Sequence, residues 1–250
     1  MREILAVIIA TVFACFASAL FVTSFTSIGL FTFGELAFFI SCLLLSPYAS
    51  AFVGGIGLSS ASLLLGYPHY ALASLTIKSI AGFTISKALK TLKSRTVNFA
   101  SSLILALLFG LMGVLKFSGE IYFGYTNTFF LGERVLEFGG LWAQSLYLPS
   151  WGWIAASTII IIIIIFTELK KMGCSEWAGA PLLCGCFIIV LGYLLYEALA
   201  MPVIFNVKVD AIANISVNAG QSILAATAAM VIGKIIHLLR HKLDSRTIIK

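Results

Sequence analysis

The chain has 250 residues, of which 60% are hydrophobic and only 10% charged, with a mean hydropathy of +1.07. Soluble domains carry about 25% charged residues, so a water-soluble globular protein is excluded and an integral membrane protein is indicated. The apolar runs are far longer than the alternating strands of a membrane barrel, and the formal charge of +6 is read as membrane topology, not as a nucleic-acid surface.

Residues 4–24 are read as the first helix. Arg2 ahead of it and Ala17-Ser18-Ala19 within it suggest a cleavable signal, but the apolar run is too long for one and nothing polar follows, so it is kept as a span. Residues 33–46 form a second helix, closed by Ser46-Pro47 and short for roughly 30 Å of hydrocarbon. A third covers 49–66 and ends at Gly66-Tyr67-Pro68; a fourth covers 70–91 and a fifth 98–116. Residues 117–149, with Glu120, Glu133, Arg134 and Glu137 among many aromatics, are read as a loop with room for short surface helices. Residues 151–167, which include the isoleucine run Ile159 to Ile165, form a sixth helix, 177–198 a seventh, and 211–239 an eighth that follows a loop at 199–210.

Basic residues fix the orientation. Arg2, Lys87, Lys90, Lys93, Arg95, Lys170, Lys171, Lys234, Arg240, Lys242, Arg246 and Lys250 fall on one side if the N-terminus is cytoplasmic. Only Lys116, Arg134 and Lys208 fall on the other, so the positive-inside rule puts both termini in the cytoplasm and the 117–149 loop outside.

Two constellations stand out. Ala6, Ala10 and Ala14, continued by Ser18, make a smooth ridge on the first helix, suited either to packing within the bundle or to docking a second membrane subunit. The other is a set of polar residues at one depth: Glu35, Lys78, Glu197, Asp210, and the row Asn214, Asn218 and Gln221 on one face of the eighth helix. A lysine inside the membrane must face the interior and find a carboxylate, for which Glu35 and Glu197 are the candidates. The set is read either as a structural ion pair with interhelical hydrogen bonds or as a polar pocket open to the outside. Tyr67, His69, Tyr70, Tyr193 and Tyr196 supply aromatic walls to such a pocket.

His69 has no cysteine or second histidine beside it, and Cys184-x-Cys186 lacks metal-site spacing, so no metal and no cofactor are expected. The phosphate-loop pattern and the common membrane protease and hydrolase signatures are missing, which argues against an ATPase or an enzyme.

Taken in order, these residues resemble the S component, the substrate-binding membrane subunit, of energy-coupling factor (ECF) transporters. The resemblance rests on Gly34-Glu35 opening the second helix, on Gly57 and Gly66-Tyr67 in and after the third, and on Lys78 followed by Gly82 in the fourth. It continues with Gly192, Tyr193, Tyr196 and Glu197 in the seventh helix, Asn218-x-x-Gln221 in the eighth, and the alanine ridge of the first. Thr76 stands two residues before Lys78, not three, and Ser62 and Ser79 replace residues that the family often has as acidic and Gly. The resemblance covers residues 1–95 and 177–240.

It implies an all-α integral membrane protein forming one transmembrane domain over 1–250. That domain comprises a six-helix bundle (1–95 and 177–240), an inserted helical hairpin with its outer loop (97–171) and a basic tail (240–250), about eight hydrophobic segments in all. The implied function is capture of a vitamin or cofactor precursor from outside a prokaryotic plasma membrane. The implied partners are a transmembrane coupling (T) subunit, contacted by Ala6, Ala10 and Ala14, and two ABC-type ATPases. Lys78, Glu197, Asn214, Asn218 and Gln221 are expected to line the site, with Glu35, His69 and Tyr193 nearby. The main alternative is a self-sufficient proton-coupled secondary transporter using Glu35 or Glu197; a further one is an intramembrane lipid enzyme using Glu197 and His69.

Overall fold

The computed structural model describes residues 2–24, 31–126, 128–131, 134–137, 142–169 and 177–247. The expectations placed on Glu133, Lys170, Lys171 and Lys250 lie outside these residues. The described chain is mostly helical. Helix α1 (Arg2–Ala17) is followed by strands β1 (Leu20–Ser24) and β2 (Phe31–Thr32), then by α2 (Phe33–Leu44). Helices α3 (47–64) and α4 (68–91) each begin at a proline in the first turn, where the missing N–H has no helical partner to lose. Gly66, at φ +83°, makes the reversal between them, and the Phe130 ring lies where a side chain would project. Helix α5 (Arg95–Lys116) leads into β3 (Gly119–Tyr125), β4 (Thr128–Leu131), β5 (Arg134–Glu137) and β6 (Trp142–Leu148). Helices α6 (Ser150–Leu169), α7 (Gly179–Phe205) and α8 (Ala211–Thr247) complete the described chain. Four of these are long and apolar enough to cross a membrane: α5, α6, α7 and α8 up to Leu239.

Three elements depart from the sequence expectation. The first helix stops at Ala17, and the next residues form β1, because a continuous apolar run reads equally as helix or strand. The expected 117–149 loop contains strands, so the all-α expectation is corrected: β2, β1, β3 and β6 pair in that order as one antiparallel sheet, and β4 with β5 as a hairpin. Ile121↔Ser24 and Ile121↔Leu146 fix the register of the sheet centre. Aromatic and β-branched residues dominate β3 (GEIYFGY), which suits a pleated, half-buried surface. The third departure is α7, which runs on through Pro202 to Phe205, where a loop was expected. A π turn just ahead of Pro202 accommodates the proline, and Asn206 in the left-handed region (φ 54°) ends the helix.

The core lies between α2, α4, α7 and α8. Phe38, Phe39, Ile85, Leu182, Ile189 and Met230 are at most 2% exposed. The sheet seats one end of this bundle: Ile121, Val22 and Leu148 pack with Phe117 and with Leu224 of α8. Helix α6 lies along α5, where Ser157 donates to the Ala106 carbonyl at 2.7 Å and Trp153 Nε1 donates to the Phe117 carbonyl at 2.8 Å. A Cβ on Gly113 would fall 2.4 Å from the Trp153 ring. Gly113→Val is therefore expected to cost about 1–3 kcal/mol through overpacking. A thermal-unfolding series in detergent checks this, and most of the loss should return when Trp153 is also cut to Leu.

Candidate functional site

Three of the helices widen into a π turn, at Val53–Gly57 in α3, Ser74–Lys78 in α4 and Tyr196–Ala200 in α7. Single π turns inside helices often mark functional sites. Those of α3 and α4 pack on each other, since a Cβ on Gly54 would meet the Lys78 carbonyl at 2.8 Å and the Phe38 ring at 2.5 Å. The turn in α4 ends on Lys78 and the turn in α7 carries Glu197, so each presents one charged side chain to the same interior space.

That space is a cavity of about 440 Å³ at the end of the bundle covered by the sheet. Glu35, Lys78, Tyr193, Glu197, Asn214, Asn218 and Gln221 all line it. His69 does not: its carbonyl accepts the Tyr196 hydroxyl at 2.5 Å, and its ring tilts on Tyr70 with centroids 4.9 Å apart. The sequence reading missed Ser18, Ser62, Ser74 and Ser222 as lining residues, together with Phe21, Thr32 and Thr126 from the strand ends. Serines on apolar helices have no pattern that separates a lining position from a packing one. The strand residues were read as a helix end, a helix entry and a loop.

The polar groups fall into three sets. Lys78, 2% exposed, donates to both oxygens of Glu35 at 2.5 and 2.6 Å, and its ammonium lies over the rings of Phe38 and Tyr193 at 5.7 and 5.5 Å. Of the two carboxylates considered as partners, it is Glu35 that pairs. The second set is a hydroxyl chain. Ser62 donates to the Leu58 carbonyl at 3.0 Å, Ser74 lies 3.2 Å from Ser62, and Tyr193 lies 3.0 Å from Ser74. Each hydroxyl has one proton, so the chain runs from Tyr193 through Ser74 and Ser62 to the backbone.

The third set surrounds Glu197, itself 2% exposed. Tyr70 donates to Oε1 at 3.2 Å and Asn214 Nδ2 donates to Oε2 at 3.1 Å. Both donors are neutral. Among the described residues no cation forms an ion pair with Glu197. Asp210 caps α8, accepting from the Ala213 amide at 3.0 Å, and so sets the start of the helix on which Asn214, Asn218 and Gln221 ride. The Lys78–Glu35 pair is neutral as a unit, so the walls carry one uncompensated carboxylate amid amides and hydroxyls.

On α1, Ala14 is fully buried near Gly57, whereas Ala6 and Ala10 are half-buried and the large side chains of Ile8, Val12 and Phe16 stand exposed. Among the described residues no group of three His, Cys, Asp or Glu side chains is placed to hold a metal ion.

Long apolar helices around a partly open cavity, with charged and polar side chains among its walls, define a multi-pass membrane protein with a candidate ligand site. The family model described as ECF-type riboflavin transporter, S component, matches residues 3–125, just under half of the chain, and supports placing it among the S components of ECF transporters. Its match runs through α5 into β3. That family supplies the substrate-binding subunit, is not a class of enzymes, and implies a small-molecule ligand with T and ATPase subunits as partners. No curated protein and no solved structure matches the chain.

Proposed function

We propose that the chain captures its ligand from the outer face of a prokaryotic plasma membrane. It then hands the ligand over through a coupling subunit driven by separate ATPases. The observation that carries this reading is the cavity of about 440 Å³, within the range of small-molecule sites, in which one helical row of amides, a chain of hydroxyls and two charged π turns converge. The cavity lies at the bundle end away from Lys87, Lys90 and Arg95, so the positive-inside rule directs it outward. The same rule leaves both termini in the cytoplasm.

The ligand we assign is a flavin. The family description names riboflavin, and the walls suit it. Tyr67, Tyr70 and Tyr193 line the cavity and offer aromatic contact to a flat ring system, while amides and hydroxyls suit its imide and its hydroxylated chain. The carboxylate of Glu197, held by neutral donors and with no ion-pair partner among the described residues, suits a further donor on the ligand. Docking of the coupling subunit falls on α1, with Ala6 and Ala10 at its edge and Ile8, Val12 and Phe16 on its exposed face.

Native mass spectrometry of the gently extracted chain tests the reading. A retained molecule of flavin mass, with flavin absorbance in the purified protein, is the expected result. An empty protein showing no thermal shift with flavins or other vitamins, together with uptake by the chain alone under a proton gradient, would move it to the secondary-transporter class.

A further inference from the structure

A second cavity, of about 190 Å³, lies at the opposite end of the bundle. Its lining comes from the C-terminal ends of α2, α4 and α8 and from the residues leading into α7. The first cavity is lined by the start of α2, α4 and α8 and the end of α7, so the two lie at opposite ends. Trp177 is 3% exposed, lines this second cavity, and its indole N–H has no acceptor among the described residues. Buried donors are almost always satisfied, and an orphan calls for an unseen partner. Lys234, 9% exposed, lines the same space and holds its ammonium 5.3 Å from the centre of the Trp177 ring. His237 completes the polar wall.

A buried N–H donor, a buried ammonium and an imidazole converging on one space suit an oxyanion with several acceptor oxygens, such as a phosphate. The remaining wall decides its source. Leu43, Leu44 and Leu89 line the same cavity, and Leu44 is 48% exposed on the apolar outside of the bundle. A groove with donors at its head and leucines opening toward hydrocarbon fits a lipid better than a free ion. At roughly 30 Å³ per water, the space holds a headgroup's worth of atoms. Basic pockets between membrane helices are known to hold acidic headgroups. We infer that this groove binds the phosphate headgroup of an acidic phospholipid, independently of what fills the first cavity.

The test uses the delipidated full chain in detergent, titrated with short-chain phosphatidylglycerol, short-chain phosphatidylcholine or inorganic phosphate while thermal unfolding is followed. Phosphatidylglycerol should stabilise the protein and be counted as a bound adduct by native mass spectrometry; the other two should not. Trp177→Phe keeps the ring and removes the donor, and should weaken the response about tenfold, the usual worth of a hydrogen bond to a charged group. Lys234→Gln should weaken it similarly, and stands in if the tryptophan variant does not fold. Equal responses to the two lipids, or variants that respond like the parent chain, overturn the assignment. A response to inorganic phosphate matching that to phosphatidylglycerol also overturns it, in favour of a free-anion site.

Discussion

Lys78→Ala is expected to destabilise the protein by about 3–5 kcal/mol, the usual consequence of stripping one partner from a buried ion pair. Glu35, 8% exposed, would be left with an uncompensated charge in the interior, and the ring faces of Phe38 and Tyr193 would lose their cation. Thermal unfolding in detergent reads this as a large drop in midpoint. The double variant Lys78→Met with Glu35→Leu separates structure from recognition. Removing both charges should restore most of the stability, because a well-packed apolar pair often replaces a buried ionic one at little cost. Ligand retention should stay lost in the double variant, since both residues line the cavity. A double variant that is stable and still binds would confine the pair to a structural role.

Glu197→Ala is expected to weaken ligand binding about a hundredfold while leaving the fold largely intact, on the estimate of about 1.5–3 kcal/mol per hydrogen bond to a charged group. The carboxylate is the acceptor for Tyr70 and Asn214, and both would point into a site lacking their common partner. Titration of the purified chain with riboflavin, followed by quenching of flavin fluorescence, measures the change. Glu197→Gln should fall between the two, because it retains one acceptor and adds a donor facing Asn214. Affinity unchanged in both variants would remove Glu197 from the recognition chemistry.

Much of this geometry was legible from residue types alone. A lysine in an apolar helix demands a carboxylate, and Glu35 answers that demand. The spacing of Asn214, Asn218 and Gln221 put them on one face, and all three line the cavity. What stayed hidden depended on chain reversals and on helix widening. The run through Leu20–Ser24 is as apolar as the helix before it, so its pairing with β3 across about a hundred residues left no local trace. Ser62 and Ser74 acquire meaning only from Tyr193, which reaches them from another helix. His69 looked like a wall residue because it follows Tyr67 and Pro68 at the turn; in the fold it is the backbone carbonyl of His69, not the ring, that is put to use.

The π turns carry an implication for how chain length maps onto specificity. A five-residue π turn holds one residue more than the α-helix around it needs. Losing that residue would not break the helix. It would close the turn and rotate everything beyond it by roughly 100° about the axis. In α4 the rotation would turn either Lys78 away from Glu35 or Ile85 away from Gly185. In α7 it would divide Tyr193 from Glu197 in the same way. A one-residue deletion in a membrane helix is commonly read as lost span. At these three positions it acts as a dial that swaps one wall of the cavity for another while the helix keeps its place.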